Sequence, residues 1–203
     1  MKYLSQLARI RAGHAFRSKL MNTPSAKTGV LQMKDIDDTR GVDWGRVVKC
    51  EPIAIKREWL AAGDILLVAR GARNHAYYIS EDPPFPTLAA PHFFHITLHP
   101  DTTEHTLPAF LGWQLNQQPI QDYFKRNAEG STSKSIRRAV VENTPIFVPP
   151  LKEQQAVIGL QHSIKQERLA AEALITNGEK LMAQICIDLT QKAEGFSNGD
   201  SND

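Results

Sequence analysis

The C-terminal quarter of the chain constrains the fold most, because it lacks proline and repeats apolar residues at helical spacing. All twelve prolines lie at or before Pro150. After them, Lys152-Glu153-Gln154-Gln155 opens a run of residues that favour helix. These features predict one helix over residues 151–193, roughly 60 Å long at about 1.5 Å per residue. Residues 194–203 are expected to form a flexible tail.

Apolar side chains in this predicted helix recur about every 3.5 residues, which is the period of a coiled coil. The predicted dimerisation positions along this seam are Val157, Leu160, Ile164, Ala171, Leu174, Leu181 and Ile185. Glu167 and Gly178 interrupt the seam. A helix of this length cannot bury its apolar stripe against a domain of 150 residues, so it needs a second helix. The sequence therefore predicts a long helix that pairs with another helix.

Residues 1–150 are predicted to form a globular domain of the α+β class. Short runs of β-forming residues, bounded by Gly, Pro or Asp, predict strands at residues 29–33, 46–50, 65–69, 93–98 and 146–148. The apolar residues between Leu107 and Phe124 fit one or two short helices. Strands that precede the helices argue against a regular βαβ winding. The predicted architecture is an α+β domain of short strands and helices followed by one long coiled-coil-forming helix.

Composition excludes several classes of protein. A length of 203 residues suits one domain with an appendage. Cys50 and Cys186 lie far apart in the sequence and form neither a disulfide framework nor a zinc-binding CxxC motif. The first twenty residues lack the apolar run of a signal peptide, and no run reaches the roughly 18 apolar residues of a membrane span. These observations predict a cytoplasmic protein.

Positive charge is concentrated in the N-terminal part of the chain. The formal net charge is +2, but residues 1–150 carry 19 Lys and Arg against 14 Asp and Glu, whereas residues 151–203 carry 5 against 8. Three stretches are basic, at residues 1–20, 68–78 and 123–138. Their Arg, Lys, Asn and Ser side chains are of the types that bind phosphates and read base edges. The alternative is that these stretches are ordinary solvated loops.

Two other features point to chemistry, but each has a stronger structural interpretation. Asp82-Pro83-Pro84-Phe85 resembles the DPPF tetrapeptide of methyltransferases that act on adenine in DNA. The chain lacks the glycine-rich loop that would hold S-adenosylmethionine, so a turn between strands is favoured and a small adenine methyltransferase is the alternative. His95 and His99 would lie about 13 Å apart on a strand, too far for one metal ion. No catalytic residue and no metal site is predicted.

Several motifs, in their order and spacing, resemble the specificity (S) subunit of type I restriction-modification systems, and more closely one half of such a subunit. The matching segments are residues 29–36 (GVLQMKDI), 60–71 (LAAGDILLVARG), 130–132 (GST) and 146–155 (IFVPPLKEQQ). In that family a strand ending in Pro-Pro-Leu leads through Glu-Gln into a long helix. The resemblance extends over residues 1–190.

The resemblance implies a non-catalytic subunit for host defence, whose recognition domain reads one half of a split DNA site and whose long helix serves as a spacer. It implies double-stranded DNA, a methyltransferase subunit and a translocating nuclease subunit as partners. The methyltransferase subunit would bind S-adenosylmethionine, and this chain would need no cofactor. Family members carry two recognition domains and two antiparallel helices, whereas this chain has one of each. We therefore expect a homodimer through the helix, or pairing with a second chain, and a DNA site built of inverted repeats.

Within this interpretation the basic stretches supply two kinds of DNA contact. Phosphate contacts are assigned to Lys19, Lys125, Arg126, Lys134 and the loop of Ser131, Thr132 and Ser133. Base contacts are assigned to Arg70, Arg73, Asn74 and His75, with Arg17 and His92 as further candidates. The remaining alternative is an assembly module that has lost DNA binding.

Overall fold

The computed structural model describes residues 1–16, 20–23, 25–50, 59–71, 73–130 and 134–197, with side chains described as far as residue 191. Met1–Gly159 form one compact unit, and Leu160–Asp203 form a second. The first unit is an α+β domain, within which a long helix begins. The predicted fold class is confirmed.

The strands of the described residues are β1 (Lys2–Tyr3), β2 (Ala8–Ala12), β3 (Thr28–Leu31), β4 (Ile36–Asp37), β5 (Gly41–Val42), β6 (Val48–Cys50), β7 (Ile65–Val68), β8 (Ala76–Tyr78), β9 (Thr87–Ala89), β10 (Phe93–Leu98) and β11 (Pro145–Ile146). The helices are α1 (Leu4–Leu7), α2 (Pro108–Leu115), α3 (Gln118–Asn127), α4 (Arg138–Glu142) and α5 (Leu151–Ser197). Each predicted strand overlaps an observed strand, and two short helices occupy the predicted helical region.

A four-stranded antiparallel sheet in the order β2-β10-β7-β8 forms the centre of the domain. Successive residues of a strand point to opposite faces of the sheet. In β7, Ile65 and Leu67 pack into one hydrophobic core. Leu66 and Val68 pack into a second core on the other face. The central strands are therefore buried on both faces, which explains why β7 is an uninterrupted apolar run.

Other elements cover the two faces of this sheet. Helices α1 to α4 contribute apolar side chains to the first core, among them Leu111 from α2 and Phe124 from α3. A three-stranded sheet in the order β6-β3-β9 contributes Val30 and Leu31 to the second core. In this smaller sheet β3 pairs antiparallel with β6 and parallel with β9. The domain is thus built as packed layers around a central sheet.

A buried pair of ionisable side chains, Asp64 and His95, joins β10 to the turn before β7. Asp64 Oδ2 lies 2.8 Å from His95 Nε2 and accepts the Ala61 N–H at 2.8 Å. The hydroxyl of Thr97 donates to Asp64 Oδ1, also at 2.8 Å. Burial acts to raise the pKa of Asp64, but the interaction with His95 and the other hydrogen bonds outweigh it and lower the pKa. His95 is therefore used structurally.

The first turns of α5 are fixed to the domain by the buried side chain of Gln154. Its Oε1 accepts the N–H of Leu107 at 2.8 Å. Its Nε2 donates to the carbonyls of His105 at 2.8 Å and Pro149 at 2.7 Å. One amide group therefore ties the start of the helix to the segment before α2.

We expect Gln154→Leu to lower the free energy of unfolding by about 2–3 kcal/mol. The leucine has a similar volume but leaves the N–H of Leu107 and two carbonyls without their partner, the buried Gln154 amide. The change is measured by urea denaturation of the full chain. Gln155→Leu is the matched control, because Gln155 is exposed and its replacement should cost less than about 0.5 kcal/mol. Equal losses for the two variants would contradict this role of Gln154.

Beyond its start, α5 exposes apolar side chains along much of its length. Val157 is partly buried, whereas Leu174 is 74% exposed. The other predicted seam residues that are exposed are Leu160, Ile164, Ala171, Leu181 and Ile185. The helix extends to Ser197 rather than to residue 193. Residues 194–197 of the predicted tail are thus helical, and residues 198–203 lie outside the described part.

Candidate nucleic-acid interface

One end of the four-stranded sheet brings together segments that are distant in the sequence. β2 and β7 end there, and β8 and β10 begin there, because neighbouring strands are antiparallel. The N–H of Gly13, which follows β2, donates to the carbonyl of Phe93 at 2.8 Å. The N–H of Ala69, which follows β7, donates to the carbonyl of His92 at 2.8 Å. The first and second basic stretches therefore meet at the start of β10.

Backbone hydrogen bonds bring the third basic stretch to the same place. The N–H of Ile136 donates to the carbonyl of Ala69 at 3.0 Å, and the N–H of Gly71 donates to the carbonyl of Lys134 at 3.2 Å. Glu129 and Ser135 exchange two backbone hydrogen bonds of 2.9 Å, which pair these two residues directly. Gly71 has a φ of 148°, a conformation that favours glycine. The loops of the second and third stretches are thus joined directly.

Four exposed side chains on these segments, Arg70, Arg73, His92 and Lys134, form what we call the basic surface. A nearby acidic residue, Glu129, forms an ion pair with Arg137 at 2.5 Å. Exposed cations on loops at a sheet end can bind backbone phosphates, and an arginine can also donate two hydrogen bonds to a guanine edge. The arrangement is chemically suited to a nucleic acid.

Two predicted base-reading residues in the loop between β7 and β8 are less accessible. Asn74 is buried, and its Nδ2 donates to the carbonyl of Val68 at 2.8 Å. This placement favours a role in holding the loop over contact with a base. His75 is partly buried, with its ring 4.6 Å from that of Tyr77. Burial is the main cause that lowers the pKa of His75; the Asp38 carboxylate opposes this effect, and Arg73 adds to it.

The remaining predicted DNA contacts fall into two groups. Lys125 and Arg126 are exposed in the last turn of α3, just before the loop that begins after Glu129. Arg17, Lys19, Ser131, Thr132 and Ser133 lie outside the described residues. The structure therefore places Lys125 and Arg126 on the surface and leaves the five others as predictions.

Sequence reasoning missed the side-chain amides that fix the loop between β7 and β8. Gln121, on α3, donates from its Nε2 to the carbonyl of Asn74 at 2.8 Å. Asn116, which follows α2, exchanges two hydrogen bonds of 2.8 Å with the backbone of Ala76. These partners are 47 and 40 residues apart in the sequence. Because no local pattern links residues at such separations, the sequence alone carried no signal for them.

The DPPF segment has a structural role, as the favoured interpretation expected. Asp82 Oδ1 accepts the N–H of Ala62 at 2.8 Å. The partly buried ring of Phe85 lies under the Lys49 ammonium, whose Nζ is 4.7 Å from the ring centroid. Gly29 packs so closely on this ring that a Cβ at that position would lie 2.4 Å from it. Both side chains that would serve a flipped base are therefore engaged in packing and turn formation.

Along the described ranges, no group of three or more His, Cys, Asp or Glu side chains is placed to hold a metal ion. Across those same residues, no helix combines the length and the apolar character needed to cross a bilayer.

Comparison by sequence finds neither a matching protein-family model nor a matching curated protein. Comparison of structures finds similar folds. The S subunit of the type I restriction-modification system from M. genitalium has a TM-score of 0.54 at 17% identity, over 84% of this chain and 40% of the subunit. The HsdS subunit from Thermoanaerobacter tengcongensis has a TM-score of 0.52 at 20% identity, over 85% of this chain and 44% of that one.

A third similar chain comes from a structural study of complex assembly and conformational transition in the type I restriction-modification system. Its TM-score is 0.64 at 16% identity, over 90% of this chain and 42% of that chain. The present chain thus spans less than half the length of each of these proteins. The likeness lies in the fold, and it covers most of this chain. The fold of this chain is that of the S subunits of type I restriction-modification systems, as the sequence motifs predicted.

Proposed function

We propose that this protein recognises a specific DNA sequence and that the basic surface is its reading surface. The observation that carries the proposal is the convergence of all three basic stretches at one end of the central sheet. Loops at the end of a rigid sheet can vary in shape while the sheet holds them in place. The similarity in fold to S subunits supports this role.

The proposed contacts divide by chemistry. Arg70 and Arg73 are exposed on the loop between β7 and β8, where guanidinium groups can reach base edges. Lys125, Arg126 and Lys134 are exposed cations that would contact phosphates. The hydroxyl residues 131–133 are assigned to phosphates as well. Each phosphate contact makes affinity depend on salt, with log K falling by about 0.9 per contact for each log unit of salt.

The proposal includes partners that would perform the chemistry. A methyltransferase subunit, with its own S-adenosylmethionine, would modify the DNA that this chain selects, and a translocating nuclease subunit would act in the same complex. This chain would contribute recognition without catalysis and would work in the cytoplasm. The engagement of Asp82 and Phe85 in local structure supports this division of labour.

We further propose that two copies of α5 pair antiparallel to form a homodimer. The most complete register places the two-fold axis between residues 172 and 173, so that Leu160 packs on Ile185 of the second copy. In the same register Ile164 meets Leu181, and Ala171 meets Leu174. Glu167 then faces Gly178, whose lack of a side chain leaves room for it. Exposure of these apolar side chains in the single chain supports the pairing.

We expect Arg73→Ala and Lys125→Ala to weaken DNA binding in different ways. Arg73→Ala should relax sequence choice by about 1–3 kcal/mol at one base pair, because a bidentate base contact is lost. Lys125→Ala should weaken all sequences alike and reduce the salt slope by about 1. Selection from a randomised duplex library, followed by competition binding, separates the two effects.

Two outcomes of this experiment, and one outcome of a separate ligand titration, would contradict the proposed function. If both variants weakened binding to all duplex sequences by the same factor, the assignment of Arg73 to bases and Lys125 to phosphates would be wrong. A wild-type chain with no preference for any duplex would point instead to an assembly module. Stoichiometric binding of S-adenosylmethionine by the isolated chain would point to a methyltransferase.

A further inference from the structure

The loop between β7 and β8 is held by amide side chains that approach it from the helical layer. Gln121, on α3, donates from Nε2 both to the carbonyl of Asn74 and to that of Leu115, each at 2.8 Å. Asn74 in turn donates from its own Nδ2 to the carbonyl of Val68 at 2.8 Å. One chain of hydrogen bonds thus runs from the end of α2, through α3, to the last residue of β7.

A second side-chain amide, that of Asn116, forms hydrogen bonds to the outer edge of β8. Strand β8 lies at the edge of its sheet, so one side of its backbone lacks a neighbouring strand. Asn116 Oδ1 accepts the N–H of Ala76, and Asn116 Nδ2 donates to the carbonyl of Ala76, both at 2.8 Å. The side chain therefore replaces a strand at the residue where the loop ends.

We propose that Asn74, Asn116 and Gln121 are positioning residues for DNA sequence discrimination. They fix both the backbone of residue 74 and the point at which the loop enters β8, and Arg70 and Arg73 lie between β7 and these fixed points. This inference rests on the proposed function, because it assigns to these amides the placement of the two arginines.

The geometry explains why these amides would affect specificity more than general affinity. A base contact works only if the guanidinium is held to within about 0.5 Å of its productive position, and rigid support supplies that precision. A phosphate contact depends mainly on charge and tolerates movement of the cation. Loosening the loop should therefore reduce discrimination between sequences and leave binding to random DNA almost unchanged.

The test compares Gln121→Met with Gln118→Met in the full chain. Methionine keeps the length of the glutamine but cannot donate to Asn74 or Leu115. Gln118 is the matched control, since it is exposed on the same helix and its Nε2 donates to Asp122 at 2.8 Å. Affinities are measured for the best duplex selected by the wild-type chain and for a random duplex of the same length. Hydrogen exchange of the amides of residues 70–76 is followed in parallel.

Gln121→Met should lower the ratio of selected to random affinity about tenfold, because the loop loses the hydrogen bond that Gln121 donates to Asn74. Binding to the random duplex should change less than about twofold, while exchange in residues 70–76 accelerates. Gln118→Met should change none of these quantities. Equal weakening on both duplexes, or unchanged discrimination with faster exchange, would overturn the positioning role.

Asn116→Asp provides a second variant that perturbs the loop less, in case Gln121→Met does not fold. Aspartate still accepts the N–H of Ala76 but cannot donate to its carbonyl. It should also reduce discrimination between the selected and the random duplex, and an unchanged affinity ratio would count against the inference.

The experiment distinguishes failure of the proposed function from failure of the positioning role. A wild-type chain without sequence preference would overturn the proposed function, whereas a wild-type preference that survives these variants would overturn only the positioning role.

Discussion

Asp64→Ala is expected to lower the free energy of unfolding by about 3–5 kcal/mol, because it breaks a buried, hydrogen-bonded carboxylate–imidazole pair. The substitution leaves the imidazole of His95, the hydroxyl of Thr97 and the N–H of Ala61 without their shared acceptor. His95 and Asp64 are each only 5% exposed at their side chains, so water cannot replace the lost bonds. Urea denaturation at neutral pH measures the loss.

The same pair predicts how stability varies with pH. Burial alone would raise the pKa of Asp64, but the hydrogen bond and charge of His95 reverse this effect, so the pKa in the folded state lies below its value in the unfolded chain. The stabilisation is therefore complete above the unfolded pKa of about 3.9 and is lost as the pH falls through the folded pKa. The difference in stability between wild type and Asp64→Ala should shrink in that acidic range.

A matched control for this prediction is Asp82→Ala. Asp82 is exposed and accepts one hydrogen bond, from Ala62, so its replacement should cost about 1 kcal/mol or less. If Asp64→Ala cost no more than Asp82→Ala, the pair would have little importance for stability. A difference between wild type and Asp64→Ala that stayed constant down to low pH would contradict the assigned pKa direction.

Leu174→Asp is expected to convert the proposed dimer to monomers. In the proposed register Leu174 packs against Ala171 of the second copy on each side of the two-fold axis, so two carboxylates would enter the middle of the seam. Loss of the second recognition domain removes bivalent binding, which should weaken affinity for a duplex with two half-sites by about 10²–10⁴-fold. Affinity for a single half-site should remain unchanged.

Light scattering and competition binding measure these two effects of Leu174→Asp. Thr176→Asp is the control, because at about 100° per residue it lies on the opposite side of the helix and introduces the same charge. A dimer that survived Leu174→Asp would place the interface elsewhere. A monomer that retained full affinity for the double site would separate dimerisation from recognition.

The sequence predicted the elements whose local pattern is strong. β10 was predicted with the bounds that the structure has, because Phe93–Leu98 is a continuous run of β-forming residues. The long helix followed from its apolar period and from the prolines that precede it. The short strand β2 was missed, since its sequence ARIRA was read as part of a basic stretch. Only its pairing with β10 defines it as a strand.

The candidate site was predictable in composition but not in arrangement. Arg70 and Arg73 stood out because they follow an apolar strand, and both are exposed. Asn74 was assigned to the same group by residue type, although its amide bonds the backbone of Val68. Gln154 was recognised as a helix-forming residue and as part of the motif at residues 146–155, but not as a buried amide that joins segments up to 49 residues apart. Such long-range hydrogen bonds leave no periodic trace in a sequence.

The central sheet, filled on both faces by separate cores, has a consequence for how binding preference can change. In the middle of β7 and β10, alternate side chains pack into the two different cores. Most substitutions there therefore cost stability. The loops that connect the ends of these strands are not constrained by packing on both faces of the sheet. A new preference can therefore be acquired by exchanging short connecting segments on an unaltered scaffold, and an engineer seeking one would graft those segments and leave the interior alone.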